Sequence, residues 1–375
     1  MDVLGTVAAF IAILVVLVLV HELGHFIVAK RSGITVEEFG IGFPPRITSV
    51  TWRGTRYSLN WIPLGGFVKM LGEDGDVEVR RLRESGLSQD EVRDAMAGAF
   101  NRRPVWIRLA VLLAGVAMNF VLAAALFAVA FSMPELHGEG PLTVTEIQAA
   151  SPAEGALEER DVILGVDGRT FQRTADLTAY VAERGGEPVT LQVRRDGEVL
   201  DVEITPRALS QADRERGLGP IGFAYDPERI VETPSQVDGP IEAVVRGTTA
   251  AGQIALAIPG GLADAIGGLL GLNPEAPDAR GPIGIAQETG RVLEAPLVSQ
   301  LFFVGLLSVN LAVLNVLPFP PLDGGRIVVV LLEAARRRKL PAEREALIYL
   351  TGFAVLIALV ILISIKDIQR LITGS

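Results

Sequence analysis

Apolar and polar positions along this chain fall into long blocks rather than mixing residue by residue. Between Val3 and Val20 there is no charged residue, and Leu, Ile, Val and Ala dominate. Four blocks, 3–29, 105–133, 301–335 and 345–365, have the length and apolarity to cross a bilayer. Elsewhere the pattern shortens to alternating runs broken by Gly and Pro, which predict β-structure. One such region holds Phe39-Gly40-Ile41-Gly42-Phe43 and Tyr57 to Met70 with Gly65 and Gly66. Its Phe and Trp residues suit a membrane interface. Residues 73–100, rich in Asp, Glu and Arg, read as a solvated insert, and 141–206 as a small β-rich domain.

Basic residues set the orientation. Lys30 and Arg31 follow the first block, Arg102, Arg103 and Arg108 frame the start of the second, and Arg336 to Lys339 with Arg344 separate the third from the fourth. The positive-inside bias makes these loops cytoplasmic and puts both termini and the 134–300 region outside. A fifth apolar stretch, about 250–272, is Gly-rich and contains Gln253, Pro259 and Asp264. If it crossed, the Arg-rich end of the third span would face outward, so it is expected to be a surface or interfacial helix. The first block lacks a basic leader and a small-residue cleavage site, and is expected to be retained.

With 375 residues, 49% of them hydrophobic, and a mean hydropathy of +0.40, the chain is too apolar for an ordinary soluble enzyme. A net charge of −10 argues against nucleic-acid binding. The absence of cysteine excludes disulfides and thiolate metal sites, leaving His, Asp and Glu as metal ligands.

The first block ends in His21-Glu22-Leu23-Gly24-His25. Histidines at i and i+4 share a helix face and can hold one Zn²⁺, and Glu22 can accept a proton from an attacking water. Ionisable groups in an apolar span are costly and usually functional. The remaining histidine, His137, reads as a solvated loop residue. A third ligand is expected from the third block, which runs Asn310-Leu-Ala-Val-Leu-Asn315-Val-Leu-Pro318-Phe-Pro320-Pro321-Leu-Asp323-Gly324-Gly325. Three prolines and two glycines break the helix there, which lipid tolerates only where backbone lines protein or a wet cavity. Asp323 is the candidate ligand, and Asn310 and Asn315, with Pro318 and Pro320, are the candidate substrate-binding and oxyanion region. A kinked helix glued to its neighbours by asparagines explains everything in this stretch except Asp323.

The pairing of HExxH in the first span with Asn-x₂-Pro-x-Pro-x-Leu-Asp-Gly in the third resembles the bacterial site-2 proteases, intramembrane zinc metalloproteases, over nearly the whole chain. The resemblance implies one Zn²⁺ on His21, His25 and Asp323, with Glu22 as base. It also implies a membrane-reentrant β-element whose edge, about Gly40, Gly42, Gly65 and Gly66, pairs with an extended substrate. Ser151-Pro152-Ala153 and Arg160-Asp161-Val-Ile163 are similar to bacterial PDZ segments, and the family places an extension after that domain, here 207–300. The implied architecture is a polytopic α-helical membrane protein with four transmembrane helices, a reentrant β-hairpin and an extracytoplasmic α+β PDZ domain. The implied location is the bacterial inner membrane, with the active site toward the cytoplasm. The implied substrate is a single-pass membrane protein, such as an anti-sigma factor or signal-peptide remnant, already trimmed by an upstream site-1-type protease, with the PDZ domain as size filter. Two rivals stay open at this point. One is a membrane-anchored metalloprotease with a water-exposed site using Glu37 or Glu38, and the other is a PDZ scaffold without proteolysis.

Overall fold

In the computed structural model of the chain, residues 3–73, 79, 82, 84–85, 88–148, 151–209, 219–233, 239–269 and 281–373 are described. The chain divides into two compact units, Met1–Phe131 with Gly239–Gly261 and Arg280–Ser375, and Ser132–Asp238 with Leu262–Ala279.

The first unit is a helical bundle with a β-element. The uninterrupted apolar run at the start forms α1 (Val3–Arg31), because a helix satisfies its own backbone polar groups. With α3 (Val105–Phe131), α7 (Leu297–Val316) and α9 (Ala342–Thr373), it is one of four helices among the described residues long and apolar enough to cross a membrane. α3 packs between α1 and α7. A Cβ at Gly24 of α1 would collide with the Ala114 carbonyl of α3, so the two backbones approach as closely as only a glycine permits. On the other flank of α3, Phe127 stacks on Phe302 of α7, with centroids 5.4 Å apart.

The 301–335 block is not one span. α7 ends at Val316, and α8 (Asp323–Arg336) is a separate helix. Pro318, Pro320 and Pro321 cannot continue the ladder of α7. A Cβ at Gly324 would strike the carbonyls of Val316 and Leu317, so glycine lets α8 begin tight against the end of α7.

β1 (Val36–Trp52) and β2 (Thr55–Met70) form an antiparallel pair closed by Arg53 and Gly54, both at positive φ as a two-residue hairpin turn requires. The register shifts repeatedly. Val36–Ile41 faces Gly66–Met70 on one side, while Glu38–Ile41 also faces Arg56–Leu59 on the other. The two bent strands therefore make a small sheet with Gly66–Met70 as one outer run. Lys30 Nζ donates to Arg53 O at 3.2 Å and Thr55 Oγ1 at 3.1 Å, fixing the hairpin turn to the end of α1.

Two expectations change here. The charged insert is not merely solvated: Ser88 and Glu91 form a reciprocal capping box on α2 (Gln89–Ala95), and Val92, Met96 and Ala99 are buried together. Residues 74–78, 80–81, 83 and 86–87 of that insert lie outside the described residues. The stretch expected to be a surface or interfacial helix belongs to α5 (Pro240–Leu269), which is not among the candidate spans and keeps Val244, Val245 and Leu256 exposed, but which packs Ala251 against Ala123, Phe127 and Val309 of α3 and α7. Its small residues, which weakened any reading as a span, are what let it pack. α6 (Pro282–Glu294) is capped across the fold, Asp367 of α9 accepting from Gly281 N at 3.1 Å and Gly284 N at 2.9 Å.

The second unit is an antiparallel sheet in the order β6-β5-β4-β3-β7, with β3 Glu135–Ile147, β4 Val162–Val166, β5 Val189–Arg195, β6 Glu198–Ile204 and β7 Phe223–Thr233. α4 (Thr174–Ala182) covers it over a core that includes Leu142, Ile163, Leu177, Val181 and Leu191. The expected limits, 141–206, are too narrow: β7, assigned to the extension, pairs with β3 from Ile147–Phe223 to Glu135–Thr233. Pro227 and the charges of β7 hid its alternation. His137 lies in β3 rather than a loop. Residues 149–150, 210–218, 234–238 and 270–280 of the expected domain and extension lie outside the described residues.

Asp161, 1% exposed, is held by Arg195 at 2.6 and 2.8 Å. Burial alone would raise its carboxyl, but the guanidinium and the Glu158 N–H hold it below the ordinary carboxylate range. A carboxyl depressed by folding stabilises the fold above its unfolded pKa, and that contribution disappears as pH falls through the lower folded value. Arg195→Ala should strand a buried charge and cost about 3–5 kcal/mol. Hydrogen exchange of the β4 and β5 amides in the full chain, corrected for intrinsic rates, measures this. Protection equal to the parent's at neutral pH would show the pair to be idle.

Candidate metal centre

His21 and His25 stand one turn apart on α1, 5% and 6% exposed, with their imidazoles facing α3. Their Nε2 atoms are 3.0 Å apart. Asp323, the first residue of α8, brings Oδ2 to 2.8 Å from His21 Nε2 and 3.1 Å from His25 Nε2. α1 and α8 thus supply three ligand atoms to one point, a grouping that satisfies the spacing a metal ion needs. With bonds of about 2 Å, tetrahedral zinc ligands stand about 3.3 Å apart. The observed sides of 2.8, 3.0 and 3.1 Å are shorter than that by about half an ångström or less.

Proton positions make the fit chemical as well as geometric. His25 Nδ1 lies 2.7 Å from the Val111 carbonyl of α3, which can only accept, so Nδ1 carries the proton and Nε2 presents a lone pair. His21 Nδ1 lies 3.5 Å from the Asn119 amide. For its Nε2 to present a lone pair as well, Nδ1 carries the proton and the amide turns its oxygen to it. Two imidazole lone pairs and a carboxylate then converge, an arrangement that favours a cation and the ring orientations typical of metal-bound histidines.

α3 makes this approach possible. A Cβ at Gly115 would lie 2.5 Å from His25 Nε2 and 2.7 Å from His21 Nε2, so only glycine leaves room for the rings. Gly115 and Asn119 were not anticipated from the sequence. The available signal was an amide in an otherwise apolar span, one turn beyond a glycine, and the structure buries that amide fully. Asn119 is also tied to α7, where Ser308 Oγ donates to its carbonyl at 2.8 Å.

Glu22 is half-buried on the same helix, on the side facing β2. A Cβ at Gly66 would be 3.7 Å from Glu22 Cγ, and one at Gly65 would be 3.3 Å from Val18. These two glycines bring the outer run of the β-element against the general-base candidate. Gly40 is different: it pairs with Phe67 on one side and Ser58 on the other, so its backbone is interior to the sheet and offers no edge. Gly42, at φ 75°, sits within β1 where the register shifts between Ile41 and Phe43, held by Asn60 Nδ2 donating to its carbonyl at 3.1 Å.

Asn310 donates to Leu306 O of its own helix at 3.0 Å. The hydrogen bonds of the described residues do not bring Asn310 or Asn315 to the ligand triad. Pro318 and Pro320 lie in the break between α7 and α8, where the Pro320 carbonyl packs on Gly352 of α9. Glu37 and Glu38, the ligands of the water-exposed rival, are engaged elsewhere, by Lys69 at 2.6 Å and Arg46 at 2.9 Å.

Comparison with known proteins places this geometry in context. A family model described as peptidase family M50 matches residues 9–359. The regulator of sigma-W protease RasP of Bacillus subtilis is 29% identical over 98% of this chain and 99% of its own length. Metalloprotease MmpA of Caulobacter vibrioides is 32% identical over 96% of this chain and 94% of its own. A Clostridium perfringens protein whose name gives zinc metalloprotease as a provisional assignment is 35% identical over 94% and 95%. Among solved structures, the PDZ domain of an SdrC-like protein from Listeria innocua aligns with 24% of this chain and 97% of its own, at 20% identity and a TM-score of 0.20.

Purified protein should carry one zinc per chain, and His25→Ala or Asp323→Ala should abolish it, because each removes a ligand from an otherwise open site. Asn119→Ala should keep the fold and weaken zinc binding by about 10–100-fold, through loss of the partner that orients His21. Metal analysis and chelator competition read both. Full occupancy in Asp323→Ala would move the third ligand elsewhere.

Proposed function

Because the chain belongs to peptidase family M50, the site-2 type of zinc metalloprotease, we propose that it hydrolyses a peptide bond in or near the transmembrane segment of a single-pass membrane protein. The observation that carries this reading is the meeting of Asp323, at the start of α8, with His21 and His25 beside Glu22 on α1, a helix apolar enough to lie in the bilayer. A scaffold would have no use for three converging lone pairs beside a carboxylate.

His21, His25 and Asp323 would hold zinc, and zinc, when bound, supplies Lewis acidity that activates water and polarises the scissile carbonyl. Glu22 takes the proton as the water oxygen bonds to the carbonyl carbon. It then delivers that proton to the nitrogen as the carbon–nitrogen bond breaks. Asn315, at the end of α7, is assigned to the substrate carbonyl, and Asn310 to substrate alignment. An intact helix hides its carbonyls in internal hydrogen bonds, so the substrate must be held extended. The outer run Gly66–Met70 beside Glu22 supports strand addition as the means.

The second unit supports a role in admitting substrate. A groove of about 350 Å³ runs between α4 and the edge strand β7, lined by Leu177, Val181, Ile221, Phe223 and Tyr225. An apolar groove beside a free strand edge suits the extended C-terminal end of a chain already trimmed by a site-1-type protease. The name of the Bacillus subtilis relative points to an anti-sigma factor as the substrate class, and a signal-peptide remnant has the same single-pass form. The positive-inside bias places both termini and this unit outside the bacterial inner membrane, and the basic loops inside.

Glu22→Gln should retain zinc and fold and lose about 10²–10⁴-fold in cleavage rate. Activity in reconstituted membranes within a few-fold of the parent would remove Glu22 as base. Deleting the second unit should leave cleavage of a pre-trimmed substrate intact and admit one that keeps its bulky outer domain. Loss of cleavage of the short substrate would instead make the unit a delivery device, and the size filter would fail.

A further inference from the structure

Glu73 stands just past the end of β2, where one carboxylate serves two different elements. Its Oε2 accepts the Met70 N–H at 3.1 Å, closing the last residue of the outer run Gly66–Met70. Its Oε1 pairs with Arg326 Nη1 on α8. Arg326 is three residues beyond Asp323, so the two share one turn of the helix that carries the third metal ligand. The guanidinium also lies over the Tyr349 ring of α9, 5.8 Å from its centroid, which limits where it can go. At the other end of the same run, Gly66 lies against Glu22.

The outer run is therefore tied at both ends to the chemistry, to the helix of the base at Gly66 and to the helix of the ligand through Glu73. We propose that Glu73 and Arg326 are a positioning pair that sets the register of cleavage. They fix the height of the Gly66–Met70 run relative to Asp323, and so determine which bond of an added substrate strand faces the metal centre. The inference rests on the reading that substrate adds to this run. A strand advances about 3.3 Å per residue, so a shift of that size presents the neighbouring peptide bond. Smaller displacements already cost rate, because reacting atoms must be held close to attack geometry.

The test uses the full chain in proteoliposomes with a single-pass substrate and mass spectrometry of the products. Glu73→Gln keeps an acceptor for Met70 N–H but removes the ion pair, and Arg326→Gln removes it from the other side. Both should keep zinc, lower kcat/KM at the parent bond by about tenfold or more, mainly in kcat, and spread cleavage to adjacent bonds. Arg326→Lys, which keeps the charge, should restore the single site. A single unchanged cleavage site in both Gln variants overturns the proposal, as does loss of activity in step with loss of zinc, which marks a structural role.

A separate arm examines the underlying reading. The chain has no cysteine, so Lys69→Cys introduces a lone thiol on the exposed face of the run. A substrate with one cysteine near its cut site should form a disulfide with it when an oxidant such as copper phenanthroline is added to take up the two electrons. Cross-linking without any change of cleavage site in the Gln variants sinks the positioning pair alone. Absence of cross-linking sinks strand addition, and the pair with it.

Discussion

Three lone-pair-bearing atoms held within 3.1 Å of one another are the constraint on which the rest of this structure depends. With both Nε2 atoms presenting lone pairs and no cation between them, their mutual repulsion opposes the packing that brings them together. The surrounding residues act to hold them there. The Val111 carbonyl fixes the His25 ring, Asn119 faces the back of His21, and Gly115 withholds the side chain that would push both away. Each lies on α3, which contributes no ligand. The second span is thus a template against which the candidate ligands of α1 and α8 are oriented.

Hydrolysis sets a second demand that a helical bundle cannot meet. Lipid favours segments whose backbone is satisfied internally, and a protease needs a substrate whose backbone is not. The bent sheet of β1 and β2 brings against α1 the β-structure that strand addition would require. Gly65 and Gly66 permit close contact with Val18, Leu19 and Glu22, and Lys30 holds the distal turn. The same sheet satisfies Gly40 on both sides, so pairing with an added strand is open to an outer run such as Gly66–Met70 and not to the interior of the sheet.

The candidate ligands that the structure brings together were legible in the sequence because their chemistry is improbable in its setting: two histidines and an aspartate in blocks that are otherwise apolar. The spans were legible by length. Asn119 and Gly115 were not, since a glycine and an amide in a span also fit simple helix packing, and only the opposing rings show what they accommodate. The division of the third block into α7 and α8 was half visible, as Pro318 to Gly325 signalled a break but not a second helix. β7 was missed because its partner, β3, is far away in sequence. Pro227 and alternating charges mask the period that would identify it as a strand. Asp323 could be chosen as ligand from its cost in an apolar setting, whereas Arg326, on the same turn, carries no signal in the sequence, because its partner Glu73 is 253 residues away.

The separation of the ligands along the chain has its own physical consequence. His21 and Asp323 are 302 residues apart and meet only when α8 is docked against α1 and α3. A chain inserted through its first two spans carries HExxH and Glu22 but only two of the ligands, too few to retain zinc firmly. Loop closure over so long a separation is paid in entropy before the contact returns anything, so the centre assembles late and as part of the complete bundle. Binding a cation there stabilises the docked arrangement over the undocked one by mass action. The hydrolytic site is therefore coupled to completion of the fold, and an unfinished chain in the membrane lacks the means to cut its neighbours.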